Sequence, residues 1–345
     1  MARPSPATPT PPAGLSRRDP AVASILRAWR RLTTPQTQAK AGPGQPTLLA
    51  CSGGADSCAL VLALATAGPK VPFTIAHIVH DLRPRADCLA DRGAVAALAA
   101  RLDLPFVQAE VKVKALPGNA EANARRVRYK ALATLARAHG LAYIATAHHA
   151  HDQLETVLMA FLRGGGPAGL RGIAASRPLG SGITLIRPML GISPDDARRL
   201  CRVAGWEWRE DGTNADTTRL RAALRVKVIP ELLRIRRSAP ARAAATAQMA
   251  AWTAELIDRA TAALPGHAWD RNLLRGTSPA VVGAILRREA DRLASGRAAD
   301  RVGWKHVSRA VQLIKSDDTD PHTLNWRGVT VHIDAHRVLL AAASS

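Results

Sequence analysis

Between residues 47 and 187, short apolar runs alternate with longer stretches whose apolar positions recur every three or four residues. The runs Thr47–Cys51, Pro72–Val79, Phe106–Val113, Ala142–Ala147 and Ile183–Arg187 are predicted strands. The helical stretches Asp56–Ala67, Asp87–Leu102, Asn119–His139 and His151–Leu162 fall between them, and Ser193–Ala204 follows the last. Such alternation predicts βαβ units and an α/β fold, a Rossmann-like parallel sheet of about five strands flanked by helices. In such sheets, ligands sit at the carboxyl ends of the strands. An amphipathic helix, Ala21–Leu32, and a polar linker, Thr34–Gln45, precede the first strand. Beyond about Pro230 the pattern turns helical, over Glu231–Ala263, Pro279–Leu293 and Arg301–Ile314. The segment Leu324–Val331, followed by Ala335–Leu340, reads as a closing β-hairpin. The expected organisation is a disordered Pro-rich tail over 1–20, an α/β domain over 21–233 and a second, mostly α-helical domain over 234–345.

Charge narrows the partners. Lys and Arg number 48 against 27 Asp and Glu, a net charge of +21. A solvated basic surface would account for part of this, but a polyanionic partner such as a nucleic acid accounts for it better. Aromatic residues make up only 3%, which argues against a stacking platform for single strands. Cys51, Cys58, Cys88 and Cys201 include no CxxC pair, which excludes zinc ribbons, cluster ligation and a disulfide scaffold and fits a reducing compartment. No apolar run reaches membrane-spanning length and the N-terminus has no secretory core, so the cytoplasm is the expected location, with no membrane partner.

The densest chemistry follows the first strand, in Ser52-Gly53-Gly54-Ala55-Asp56-Ser57. Two glycines permit a sharp turn and close approach of backbone N–H groups to a ligand. The hydroxyls of Ser52 and Ser57, and the positive end of the helix that follows, would then face one small volume suited to pyrophosphate. Asp56 beside phosphates implies a bridging Mg²⁺. No Gly-Lys-Ser/Thr follows, so the turn is not a Walker A loop. On the second strand, His77 is equally a core residue or a nucleotide contact, and His80, Asp81 and Arg83 cluster at its end. Glu121, Arg125 and Arg128 share one helix face, either a surface salt-bridge ladder or a basic face towards ATP or RNA phosphates. In Ala147-His148-His149-Ala150-His151-Asp152 the spacing does not favour zinc, whereas Asp152 at a helix start could help hold Mg²⁺ or take a proton from an attacking amine. The Gly-rich loop after Arg163 is either a helix stop or a flap over substrate. Asp211-Gly212-Thr213-Asn214 then leads to Arg219, Arg221, Arg225 and Lys227, a stretch suited to an RNA backbone.

The SGGADS turn resembles the signature of the PP-loop, N-type ATP pyrophosphatases, whose fold is adenine nucleotide alpha hydrolase-like. With HIVHDLR, EANARRVRY, AHHAHDQLET, FLRGGGPAGLRGI, LIRPML and DGTN…LRAALRVKVIP, the stretch from about Thr47 to Leu233 resembles the tRNA(Ile)-lysidine synthetase family. That resemblance implies ATP and Mg²⁺ as cofactors, with L-lysine and a tRNA(Ile) bearing a CAU anticodon as substrates. It implies that Ser52, Gly53, Gly54, Ala55, Asp56, Ser57, His77, Arg125 and His148 bind nucleotide. Asp56 and Asp152 would be the catalytic and metal-holding pair, and Arg128, Arg163, Arg187, Arg221 and Arg225 would contact tRNA, as would the C-terminal domain. Two departures stand out: His151 replaces the first Asp of the family's HHxDDQ, and Ala222 the Asn of its Arg-Asn pair. The alternatives are a tRNA cytidine thiolase on the same fold, disfavoured by the cysteine spacing, and a non-catalytic RNA-binding homologue. Oligomeric state is left open, a homodimer included.

Overall fold

The computed structural model describes residues 12–34, 44–68, 71, 73–210, 220–294, 302–326 and 328–343. Two compact units divide the chain: Met1–Met159 with Gly172–Thr246, and Ala160–Arg171 with Ala247–Ser345. The longer part of the second unit starts at Ala247, and the unit also includes Arg163 and the Gly-rich segment after it.

In chain order the first unit carries α1 (Pro20–Thr33), β1 (Thr47–Ala50), α2 (Ala55–Ala65), β2 (Phe73–His80), α3 (Arg85–Arg101), β3 (Phe106–Val111), α4 (Ala120–Ala138) and β4 (Tyr143–Ala145). α5 (Ala150–Leu162) follows; the single turn α6 (Pro167–Leu170), like the end of α5, belongs to the second unit, and the first unit resumes with β5 (Ser176–Gly180), β6 (Ile183–Ile186), α7 (Pro194–Val203), α8 (Leu220–Ala223) and α9 (Ile229–Ile235). A π-helical turn, Leu224–Val228, joins α8 to α9. The sheet order is β3-β2-β1-β4-β6-β5. Five strands run parallel, and β5 pairs antiparallel with β6. The edge strand β5 was not expected: its sequence, Ser176-Arg177-Pro178-Leu179-Gly180, lacks apolar alternation, and its side chains are mostly exposed. An edge strand needs neither feature and tolerates the proline.

Successive residues of β1 point to opposite faces, and each face has its own core. Leu49 packs with Phe73, Ile75 and the apolar sides of α1, α2, α3 and α7, whereas Leu48 packs with Tyr129 and Leu132 of α4 and with Ile144 and Leu185. α2 is buried from Ser57 to Ala65 because it lies between the sheet and other helices, which explains its all-apolar composition. α1 buries Val22, Ile25, Leu26 and Trp29, one helical stripe, and Asp19 caps it by accepting from Ala21 and Val22 N–H. Asp19 also pairs bidentately with Arg199 at 2.6 and 3.1 Å, which holds its carboxyl below the usual range. Arg17 donates to Thr66 O. Residues 12–20, assigned above to a disordered tail, are therefore tied to the fold, while residues 1–11 lie outside the described residues, as do 35–43 of the polar linker.

The second unit contains most of α10 (Ala239–Ala262), then β7 (Ala268–Asp270), α11 (Arg271–Gly276), α12 (Pro279–Leu293), α13 (Trp304–Lys315), β8 (His322–Trp326), β9 (Val329–Ile333) and β10 (Arg337–Ala342). The expected hairpin is part of a four-stranded antiparallel sheet, β7-β10-β9-β8. Leu324–Val331, taken as one arm, itself contains a reversal between β8 and β9. The single helix expected over Glu231–Ala263 is two. α9 ends at Ile235, the next residue Arg236 being extended, and α10 restarts with Pro240 in its first turn, where a missing N–H costs nothing. Among the described residues, no helix is long and apolar enough to cross a membrane.

Candidate active site

From β1 the chain moves outward through β2 and β3, then returns to place β4 on the other side of β1. The crevice between the carboxyl ends of β1 and β4 is therefore the topological switch point. A cavity of about 600 Å³ opens there, lined by Ser52, Gly54, Ala55, Asp56 and Ser57 from the β1–α2 turn, His77 from β2, and His148 and Asp152 from the β4–α5 connection.

The turn is built by its own side chains. Gly53 has φ +96°, a conformation glycine adopts without strain. Ser57 Oγ donates to Gly54 O at 2.9 Å and accepts from Ser52 N–H at 3.1 Å, closing a small ring. Arg209 N–H donates to Gly53 O at 3.1 Å, and the Arg209 guanidinium pairs at 2.6 Å with buried Asp91, which also pairs with Arg83. The first turn of α2 has no intrahelical acceptors for its N–H groups, so the helix presents them, with its positive end, to this cavity.

The polar side chains around the cavity have defined roles. His77 Nδ1 donates to Cys51 O at 2.9 Å, because a carbonyl can only accept. Nε2 is then left as an acceptor, and burial holds the ring below the usual histidine range. His148 is pushed down to about 3, first by burial and then by the Arg187 charge. His149 Nδ1 accepts from His151 and Asp152 N–H at 3.2 and 3.3 Å, which places the ring proton on Nε2, 3.5 Å from Asp56 Oδ2. Asp152 Oδ1 takes Arg225 at 2.8 Å and Oδ2 takes His149 N–H at 3.0 Å. Burial alone would raise Asp152, but these partners outweigh it and hold the carboxyl below the ordinary range. Asp56 is the opposite case: burial, aided by the charge of Asp152, pushes its carboxyl upward despite His149. A half-buried carboxylate that burial and a second carboxylate both disfavour fits a bound cation. Among the described residues no three His, Cys, Asp or Glu side chains form a metal cage. A cation at Asp56 would complete its shell with phosphate oxygens and water, as Mg²⁺ does.

The expected site residues separate into groups. Ser52, Gly54, Ala55, Asp56, Ser57, His77, His148 and Asp152 converge, with Gly53 setting the turn. Arg125, expected at the nucleotide, lines a different cavity, and Arg128, expected at tRNA, lines this one. Arg187 is 3% exposed and donates to Ala174 O, so it acts as an internal cation rather than a surface contact. Arg221 and Arg225 both engage Glu155, a carboxylate with no exposure, and Arg221 also reaches Glu121 at 2.9 Å. Arg163 is exposed and belongs to the second unit. Asp211–Asn214 and Arg219 lie outside the described residues. Sequence reading missed His149, Glu155 and the Asp91–Arg209 clamp. Only Glu155 carried a local signal, its i+3 position from Asp152 on one helix face. The substituted His151 contributes its backbone N–H to His149 and is not among the residues lining the cavity.

A family model described as the PP-loop domain matches residues 28–232. The tRNA(Ile)-lysidine synthase of Salinispora arenicola is 38% identical over 323 residues, covering 90% of each chain. This chain belongs to the tRNA(Ile)-lysidine synthase family. A member of that family from Methylobacterium nodulans is 44% identical over 194 residues, 55% of this chain and 56% of the other. Among solved structures, the U34-tRNA thiolase NcsA from Methanococcus maripaludis with its 4Fe-4S cluster aligns with a TM-score of 0.53 over 66% of this chain and 78% of its own. Its identity is 13%, so the likeness is one of fold. Within the tRNA(Ile)-lysidine synthase family, the matched PP-loop region contains the whole cavity built above.

Proposed function

We propose that this ligase joins L-lysine to the position-2 carbon of the wobble cytidine of a CAU-anticodon tRNA(Ile). The observation that carries this reading is the convergence of the SGGADS turn with His148 and Asp152 at the switch point, in a member of this family. The cytidine oxygen attacks the α-phosphorus of ATP and pyrophosphate leaves. The lysine ε-amine then attacks the activated carbon, the carbon–oxygen bond breaks, AMP departs with that oxygen, and the nitrogen loses its proton.

The chain's own groups meet the requirements of each step. The N–H groups of the β1–α2 turn and the start of α2 suit the leaving pyrophosphate, and the acceptor at His77 Nε2 suits a base amine or ribose hydroxyl. Asp56 would hold Mg²⁺, which supplies charge neutralisation at the phosphates when bound. Asp152, with both oxygens engaged, fixes His149 and balances Arg225; it is a positioning group. A thiolase is poorly supported. All four cysteines are buried and free; burial pushes Cys201 up to about 12, and the hydrogen bond between Cys51 and Cys58 pushes Cys58 upward while lowering Cys51, so among them only Cys51 leans towards a thiolate and no second one stands beside it.

The test is incubation of the full chain with ATP, Mg²⁺, radiolabelled lysine and an unmodified CAU-anticodon tRNA transcript. Label in the RNA, with AMP and pyrophosphate formed, is expected. Pyrophosphate release that requires tRNA but ignores lysine would instead point to another nucleophile.

A further inference from the structure

Arg125 leads to a second cavity, of about 500 Å³, between α4 and the β5–β6 hairpin. One wall is a single face of α4 bearing Arg125, Arg126, Lys130 and Arg137, and the other is Arg177 with the hairpin turn at Gly180-Ser181. Three guanidinium groups surround the Tyr129 ring, with Arg177 at 5.0 Å, Arg125 at 5.1 Å and Arg128 at 5.5 Å from its centre. Among the described residues, no ion pair joins Arg125, Arg126, Lys130, Arg137 or Arg177 to a carboxylate. Of the arginines lining the first cavity, Arg83, Arg198 and Arg209 each pair with a carboxylate, and Arg128 does not among the described residues. Burial and the neighbouring arginines depress Arg125, so the cations here repel one another. Tyr129 lines the cavity, and its buried hydroxyl faces the Arg187 guanidinium without a well-formed hydrogen bond. The buried hydroxyl is costly to leave unmade, whereas the exposed cations beside it are solvated at little cost and form a positive field open to an anion.

We propose that this cavity is a binding site for a backbone phosphate of the RNA substrate, away from the reacting cytidine, with Arg177, Arg125 and Lys130 supplying charge and the Tyr129 O–H a hydrogen bond. This rests on the proposed action on tRNA. RNA is favoured over a free nucleotide because the cations spread along three turns of α4 and across to β5, following an extended polyanion rather than enclosing one phosphate. Arg forks from two elements also fit a phosphodiester geometrically.

The experiment uses the full chain with Arg177→Gln and Lys130→Gln combined, both exposed positions outside the catalytic cavity. Binding of a CAU-anticodon tRNA transcript is measured without lysine across a salt series, and ATP affinity is measured without RNA. The expected result is about a tenfold loss of tRNA affinity and a salt slope lower by about one to two, with ATP affinity unchanged. Arg177→Lys with Lys130 intact should restore the slope. Tyr129→Phe should weaken tRNA a few-fold without changing the slope. Unchanged tRNA affinity and slope would overturn the proposal, and so would a loss confined to ATP or inorganic phosphate. Because binding is read without turnover, a failure of lysine transfer with the Arg177 effect intact would remove the reaction assigned above and leave this RNA site standing.

Discussion

Asp56 and Asp152 lie at the same crevice with opposite electrostatic surroundings, and that contrast assigns their work. Asp56→Ala should cut ATP-dependent pyrophosphate release by a hundredfold or more, on the order of the loss of one preorganised charged group, while tRNA affinity and thermal stability stay near wild type. Parallel turnover, RNA-binding and melting measurements check this; retained turnover would remove Asp56 from the chemistry. His148 makes a pH prediction. Its ordinary value is 6.5 and the folded value is about 3. Between those limits the unfolded chain binds a proton that the folded chain refuses. The contribution is therefore complete above pH 6.5 and is lost progressively as pH falls towards 3. Urea midpoints should decline on acidification below pH 6.5, and His148→Gln should flatten that decline. An unaltered slope would show that His148 is not buried as a neutral ring. The sequence named both aspartates and His148, but not His149, because a ring between two carboxylates depends on where β4 and β1 end in space.

At the scale of elements, the β1–α2 turn is where backbone conformation meets chemistry. Gly53 at φ +96° has room for a methyl group, the nearest atoms being Asp91 O and Val95 Cγ2 at 3.7 Å. Gly53→Ala would thus pay for its backbone conformation rather than for a clash, about 1–2 kcal/mol. The expected outcome is a melting temperature lower by a few degrees and a weaker ATP affinity, read by calorimetry, because the N–H groups of the turn lose alignment. A loss of stability with ATP affinity intact would mean the turn does not cradle phosphate. This turn was legible because a strand, two glycines and a helix start are all local signals. β5 was not, since an edge strand is defined by pairing with β6 and needs no apolar pattern. The break between α9 and α10 was marked only by Pro240, which helices also accept in their first turn.

For the whole molecule, the +21 charge predicts strongly salt-dependent tRNA binding. Affinity should fall linearly on a log–log salt plot with a slope equivalent to several phosphates, whereas ATP affinity should change much less. Fluorescence titrations at graded KCl would test it, and a flat plot would make the charge a solvated surface. Composition announces such a partner but not where it docks. Of the five arginines assigned to tRNA, Arg187 is buried, Arg221 and Arg225 are held by acids, and Arg128 lies in the PP-loop cavity. Burial and ion pairing arise from residues distant in the chain: Glu155 is 66 positions from Arg221 and 70 from Arg225.

Apolar periodicity, the SGGADS turn and the segment motifs by themselves determined the α/β class, the nucleotide loop and the family, because each depends on residues close in sequence. Tertiary structure alone decided which charges are spent inside the fold and which remain open. It neutralised Arg221 and Arg225, moved Arg125 away from the PP-loop, and gathered Arg177, Lys130 and Tyr129 around a second cavity. The physical reason is that a side chain's charge has no fixed role until its distance to other charges and to water is set. Strand order and helix packing set that distance, not position along the chain.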